Sequence, residues 1–150
     1  MRRKRYMIDT NVFIAAFKSG YTATTKLLLE LIFDDSIELV GDDVLIKEYE
    51  KWFNIITAKY TEIKDLATLL LTLILSRIKV VEPEPSHMEK VKKYIPETEE
   101  ADAYHAATCL KTGATLITND RDFQELKKNK IINVWTITEA IRNILGRQAK

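Results

Sequence analysis

The segment from Thr98 to Phe123 constrains the fold of this chain more than any other stretch. Its acidic start and alanine-rich middle predict a helix that is capped by Thr98 and ends at Gly113 in a left-handed conformation. Ala114 to Ile117 is then predicted to be a short buried strand, and polar and acidic residues follow it directly. A helix that leads into a strand ending in carboxylates is typical of open α/β sheets, which form their sites at the carboxyl edge of the strands.

The rest of the chain alternates in the same way between short apolar runs and helical patterns. This alternation predicts an α/β fold with a mostly parallel sheet. No linker or internal repeat divides the chain, so residues 1–150 are predicted to form one domain. The predicted strands are Tyr6–Ile8, Ile37–Val40, Ile78–Val81, Ala114–Ile117 and Ile131–Trp135. The first predicted helix covers 12–17 and ends near Gly20, and the second runs from Thr22 or Thr24 to about 33. The remaining predicted helices lie at 44–56, 61–77, 86–93, 98–112 and 138–145.

Composition excludes several function classes. The formal net charge of +1 gives no global signature of a nucleic-acid-binding protein. The four glycines form neither a dinucleotide-binding motif nor a P-loop, and two histidines with one cysteine poorly support a zinc site. His105 and Cys109 lie among alanines and are predicted to be packing residues. No signal peptide or membrane-spanning run is present, so a cytoplasmic location is expected.

Carboxylates are the remaining candidates for chemistry. Asp9 ends the first strand, Asp120 and Asp122 follow the fourth, and Asp102 lies in the first turn of the helix that precedes the fourth. Hard oxygen ligands without histidine or thiol suit Mg²⁺ or Mn²⁺. Because carboxylates held close together repel one another unless a cation is present, their convergence would indicate a metal site.

The third helix adds another acid. Its apolar stripe leaves Glu48 on the flank that faces the sheet, whereas Glu50 faces outward. The stripe consists of Leu45, Tyr49, Trp52 and Ile56.

Each acid also has a purely structural explanation. Asp9 or Asn11 can cap the first helix, and Asp120 can cap a turn before Phe123. Asp102 can compensate a helix dipole, and Glu48 can be a surface residue. The joint pattern is stronger than any one of its members.

These residues together resemble PIN-domain ribonucleases, and most of all the small prokaryotic VapC-type toxins. The resemblance rests on the Asp9-Thr10-Asn11-Val12 motif, Glu48, Asp102 followed by Ala106-Ala107, and the run from Gly113 to Phe123. It implies a PIN-like fold, with a central, mostly parallel five-stranded sheet flanked by helices in three layers, α/β/α. It further implies an Mg²⁺- or Mn²⁺-dependent endoribonuclease with Asp9, Glu48, Asp102 and Asp120 as catalytic metal ligands and with Asn11 and Thr118 as supports. Asp122 matches a further acid that either joins the metal site or only orients it, and Arg121 is a candidate substrate contact because of its charge.

The same resemblance implies partners. An antitoxin is expected in a groove formed by helices 45–56 and 66–75, and a homodimer is expected as well. The second of these helices is apolar on several faces, which fits either a buried helix or a protein-binding surface. RNA contacts are candidates at the basic residues 2–5, at Arg121 and at the lysines of 127–130, although the lysines are also ordinary surface residues.

Two alternatives and one ambiguity stay open at this point. A haloacid-dehalogenase-type phosphatase also uses a strand-end aspartate, but it needs a second acid two residues later, where this chain has Asn11. A PIN-like module that binds RNA or protein without cleavage is the other alternative. Glu99 and Glu100 lie beside Asp102 and either join the site or face solvent.

Overall fold

The sheet determines where the candidate site lies. A computed structural model describes residues 3–18 and 22–146, and in this part of the chain five strands form one fully parallel sheet in the order β3-β2-β1-β4-β5. The chain therefore builds outward from β1 in one direction, and then returns to add β4 and β5 on the other side. The strands are β1 (Lys4–Ile8), β2 (Ile37–Gly41), β3 (Ile78–Val80), β4 (Thr115–Ile117) and β5 (Val134–Trp135).

The strand order reverses between β1 and β4, and open α/β sheets bind their ligands in the crevice expected at the carboxyl ends of two such strands. The register places the two strand ends side by side, because Ile8 pairs with Ile117. The Asp9 backbone N–H donates to the Ile117 carbonyl at 3.0 Å. Asp9 and the loop that begins at Thr118 are therefore direct neighbours.

Helices flank the sheet in the predicted three-layer α/β/α arrangement, and the predicted fold class is confirmed. None of the described helices is long and apolar enough to cross a bilayer. The helices are α1 (Thr10–Lys18), α2 (Ala23–Phe33), α3 (Asp43–Lys59), α4 (Lys64–Arg77), α5 (Pro85–Lys92), α6 (Glu100–Thr112), α7 (Gln124–Lys128) and α8 (Ile137–Ala140), which continues as a π-helical turn over Ile141–Leu145.

The α3 helix is held against β1 by a buried tyrosine. Tyr49 is fully buried, its ring stacks on Phe13 with centroids 5.2 Å apart, and its hydroxyl donates to the Ile8 carbonyl. Because Glu48 directly precedes Tyr49, this anchor brings Glu48 to the carboxyl end of β1.

Three local predictions were wrong, each for a packing or hydrogen-bonding reason. Thr98 does not cap α6, because the Glu99 N–H is already bonded to Pro96 and the first helical bond runs from Ala103 to Glu99. No helix was predicted after Phe123, but this segment forms α7, because Phe123 and Leu126 are both fully buried three residues apart.

The third error concerns the apolar stripe of α3. Trp52 is 37% exposed, and the partly buried Phe53 packs on the core in its place. The predicted end of α1 near Gly20 lies outside the described residues.

A candidate metal site at the carboxyl edge of β1 and β4

Asp9 is a buried carboxylate held by three hydrogen bonds. Its Oδ1 accepts from the Thr10 backbone N–H at 2.8 Å. Its Oδ2 accepts from the Thr118 hydroxyl at 2.6 Å and from the Asn11 amide at 3.2 Å. Burial raises the pKa of Asp9, against the lowering effect of the Thr118 bond and of the positive charge on His105. Asn11 and Thr118, the predicted supports, thus orient this carboxylate.

The loop after β4 is fixed to the same residues. The Asp120 N–H donates to the Thr118 hydroxyl at 3.0 Å, and the Asn119 N–H donates to the Asn11 side chain at 3.2 Å. Asp120 then caps a 3₁₀ turn, Arg121–Phe123, by accepting from the Asp122 N–H at 3.0 Å. The capping role expected as an alternative for Asp120 is present, and it uses only one carboxylate oxygen.

Glu48 is half-buried and turned towards the sheet, as its position on α3 predicted. Its Oε2 accepts from the Thr10 hydroxyl at 2.9 Å, and its Oε1 lies 3.0 Å from His105 Nε2. Thr10 therefore connects Glu48 to Asp9, because its backbone N–H is bonded to Asp9. Glu50 is exposed, as expected.

Asp102 lies at the centre of the acidic cluster. Carboxylate oxygens of Glu99, Asp102 and Asp122 all lie within 4.8 Å of one another, which makes these three the group among the described residues that could share one metal ion. Burial, a hydrogen bond with Asp122, and the charges of Asp120 and Asp9 raise the pKa of Asp102 to about 8. Such mutual repulsion is relieved when a divalent cation binds, and all the donors are the hard oxygens that Mg²⁺ or Mn²⁺ prefers.

The predicted acids thus converge at one edge of the sheet, but not as a single set of four ligands. Asp9 and Asp120 act electrostatically on Asp102 without belonging to the group of Glu99, Asp102 and Asp122, and Glu48 acts in the same way on Asp9. Glu99 joins the group although it is exposed, whereas Glu100, which is also exposed, lies outside it.

The prediction that His105 only packs was wrong. His105 is 1% exposed, its Nδ1 lies 3.0 Å from Asp42, and its Nε2 lies 3.0 Å from Glu48. Because carboxylates only accept hydrogen bonds, both ring nitrogens have to donate, and the ring is positively charged. Burial lowers the pKa of His105, but the bonds to Asp42 and Glu48 raise it to about 10.

One feature of the sequence could have indicated this role. His105 follows Asp102 by three residues, which places both on the same side of α6. Its partner Asp42 could not be identified from the sequence, since it is 63 residues away. Cys109, by contrast, is a buried core residue with its sulfur 3.8 Å from that of Met7, as predicted.

Most of the basic residues proposed to contact RNA lie away from the acids. Lys4 and Arg5 are at the start of β1, the opposite end of the strand from Asp9, and Arg5 pairs with Glu38. Lys127 pairs with Glu139, and Arg2 lies outside the described residues. Arg121 is exposed in the turn between Asp120 and Asp122, and it is the basic candidate adjacent to the cluster.

Comparisons with known proteins agree with this fold. VapBC2 from Rickettsia felis, bound to a DNA fragment from its promoter, is 16% identical with a TM-score of 0.57, over 88% of this chain and 98% of that chain. VapBC-1 from nontypeable Haemophilus influenzae is 22% identical with a TM-score of 0.57, over 89% and 98%. PAE2754 from Pyrobaculum aerophilum is 19% identical with a TM-score of 0.58, over 96% and 98%. The predicted likeness to VapC-type proteins is thus confirmed at the level of the fold.

The sequence itself gives the family. A comparison with curated proteins gave no match. The PIN domain family model, however, matches residues 6–129, which include every acid of the candidate site. The chain belongs to the PIN domain family, whose members are nucleases.

Proposed function

We propose that this protein is a metal-dependent endoribonuclease of the VapC toxin type. The observation that supports the proposal most strongly is the acidic cluster around Asp102, in which three carboxylates lie within 4.8 Å of one another and two more act on the same group. The cluster lies in the crevice where the strand order reverses, at the place where α/β folds bind ligands.

The acids and their hydrogen-bonding partners would have different roles in this reaction. Mg²⁺ or Mn²⁺ would be held by Glu99, Asp102 and Asp122, with Asp9 and Asp120 beside them, and Glu48 would supply a further carboxylate. When bound, such a cation lowers the pKa of a coordinated water and neutralises charge on a phosphodiester during in-line displacement. Asn11, Thr10 and Thr118 hold Asp9 in one orientation, so the carboxylate does not have to reorganise as the reaction proceeds.

Unpaired RNA is the proposed substrate, because its backbone and bases are exposed. Arg121 is placed to contact a phosphate next to the acids. The expected products carry 5′-phosphate and 3′-hydroxyl ends.

Cleavage of single-stranded RNA in Mg²⁺ or Mn²⁺ by the wild type and by Asp9→Asn, Asp102→Asn and Asp120→Asn tests the proposal. Neutral amides are poor ligands for these cations, so each substitution is expected to reduce cleavage by more than the ~10–100-fold typical of changes outside the ligand set. The matched control is Asp65→Asn, which removes an exposed acid on α4 and should leave cleavage unchanged.

Equal cleavage by the wild type and the three site variants would refute the metal-nuclease proposal. Absence of cleavage in the wild type as well, with RNA still bound, would favour the alternative of a non-catalytic PIN-like binding module. Single-stranded DNA of the same sequence, assayed in parallel, measures the selectivity for RNA.

An antitoxin partner is part of the proposal, because α3 and α4 expose apolar side chains next to each other. Ile55 and Leu69 are about half exposed, at 45% and 55%. Trp52 and Leu66 are also exposed, at 37% and 36%, and all four residues lie within the predicted ranges 45–56 and 66–75. Exposed apolar patches of this kind mark protein-binding surfaces.

Co-expression with the product of the adjacent gene tests this surface. Leu69→Glu should abolish a complex formed by the wild type, whereas the control Val80→Glu, on the edge strand β3, should not. If Leu69→Glu instead converts a wild-type dimer into a monomer in light scattering, the surface serves the expected homodimer.

A further inference from the structure

We infer that His105 is a positioning residue that holds Glu48 in the acidic site and is itself anchored on the buried Asp42. The inference rests on the proposed metal-dependent function. It assigns a role in the site to a buried polar network that lies outside the group of Glu99, Asp102 and Asp122.

The first step is the contact with Glu48. Glu48 extends from the flank of α3, and its side chain is 28% exposed, so without a tether its carboxylate could rotate into solvent. His105 Nε2 holds Oε1 at 3.0 Å, while the Thr10 hydroxyl holds Oε2 at 2.9 Å. Both oxygens are thereby fixed, one from α6 and one from the start of α1.

The second step is the anchor behind the ring. Asp42 is fully buried, and its Oδ1 caps α3 by accepting from the Leu45 N–H at 2.8 Å. Its Oδ2 accepts from His105 Nδ1 and from the Thr108 hydroxyl, each at 3.0 Å. The imidazole ring is thus held on the side opposite Glu48 by a carboxylate that cannot move without breaking the helix cap.

The third step is the continuity of the network. Bonds run from Asp42 through His105, Glu48 and Thr10 to Asp9, and so connect the start of α3 with the end of β1. Among the described residues, no buried side-chain nitrogen or oxygen lacks a hydrogen-bond partner. Outer partners of this kind orient metal ligands, and their loss typically weakens metal binding by about 10–100-fold.

Calorimetric titration of the full chain with Mn²⁺ in the absence of RNA tests the inference by a double-mutant cycle. The variants are His105→Leu, His105→Gln, Glu48→Gln and the double variant His105→Leu/Glu48→Gln. The control is Thr108→Val, which removes a hydrogen bond to Asp42 but does not contact Glu48. Thermal unfolding of each variant reports the purely structural effect.

The expected results are specific to positioning. His105→Leu should weaken Mn²⁺ binding by about 10–100-fold. His105→Gln should restore part of that loss, because its amide can still donate to Glu48. The double variant should bind no more weakly than Glu48→Gln alone, and Thr108→Val should lower the unfolding temperature without changing Mn²⁺ affinity.

Several results would overturn the inference. One is a folded His105→Leu protein that binds Mn²⁺ as tightly as the wild type. A second is a loss of Mn²⁺ affinity on His105→Leu that is as large in the Glu48→Gln background as in the wild type. Another is a Glu48→Gln variant with unchanged affinity. If His105→Leu does not fold, His105→Ala, which also cannot donate to Glu48, takes its place in the cycle, and an affinity equal to that of the wild type decides against the tether. A wild type that binds no Mn²⁺ would refute the proposed function itself, whereas wild-type binding that is indifferent to His105 refutes this inference alone.

Discussion

Replacing Asp102 with asparagine should stabilise the metal-free protein, although the same substitution should abolish its proposed activity. In the folded chain, burial and the neighbouring acids Asp122, Asp120 and Asp9 raise the pKa of Asp102 from 3.8 to about 8. In the unfolded chain, this carboxyl has its ordinary pKa. Between those two values the folded state retains a proton that the unfolded state has lost, so stability falls as the pH rises from about 4 to about 8. Asparagine does not ionise, so the stability of the variant does not fall with pH in this way.

The magnitude follows from the pKa change. One pKa unit corresponds to ~1.4 kcal/mol, but Asp102 is only half-buried, and solvent screening reduces the effect to roughly 1–2 kcal/mol. For a chain of this length, such a change raises the unfolding temperature by about 2–8 °C.

The assay is thermal or urea unfolding of Asp102→Asn and the wild type in EDTA at pH 5 and pH 8.5. The stabilisation should be larger at pH 8.5, and added Mn²⁺ should stabilise the wild type more than the variant. Asp65→Asn, on the exposed side of α4, should change stability little at either pH. A variant that is less stable than the wild type at pH 8.5 in EDTA would contradict the proposed repulsion within the cluster.

Three further predictions concern parts of the fold that position the site. Gly113 has a φ of 76°, in the left-handed region. Gly113→Ala should therefore lower the free energy of unfolding by about 1–2 kcal/mol, and Gly113→Asn should lower it less. Equal stability of all three proteins in urea would contradict this. The pKa of His105 is raised to about 10. The stability advantage of the wild type over His105→Gln should therefore be complete below pH 6.5 and should shrink as the pH rises towards 10. A difference in urea unfolding that stays constant across this range would speak against a charged ring. Tyr49→Phe leaves the buried Ile8 carbonyl without its hydrogen bond from the tyrosine hydroxyl. The substitution should lower the free energy of unfolding by about 1–3 kcal/mol, measured by thermal unfolding. An unchanged unfolding temperature would show that this contact does not hold α3 against β1.

The positions of the acids could be predicted from local patterns. Asp9 and Asp120 follow apolar strands, and the carboxyl ends of parallel strands meet at one edge of the sheet. The orientation of Glu48 followed from the periodicity of α3, since Glu48 lies one helical turn after the buried Leu45 and directly before the buried Tyr49. The C-terminal end of α6 at Gly113 was equally local, because few other residues adopt the left-handed conformation without strain.

Features that depend on distant contacts could not be predicted in this way. The strand order, and with it the position of the crevice, depends on which side of β1 the returning chain joins. The bond between His105 and Asp42 depends on the packing of α6 against α3, and the entry of Glu99 into the group around Asp102 depends on the turn from Pro96. The error over α7 has the same origin, because burial of Phe123 and Leu126 outweighs a polar, lysine-rich sequence.

A crystal structure of the protein grown with Mn²⁺ tests the central claim most directly. The account predicts an anomalous scattering peak at the carboxyl edge of β1 and β4, within coordination distance of Asp102 and of at least one of Asp9 and Asp120. A peak ligated by neither Asp9 nor Asp120, or an ordered acidic cluster without a peak at saturating Mn²⁺, would contradict the claim that these acids form one metal site.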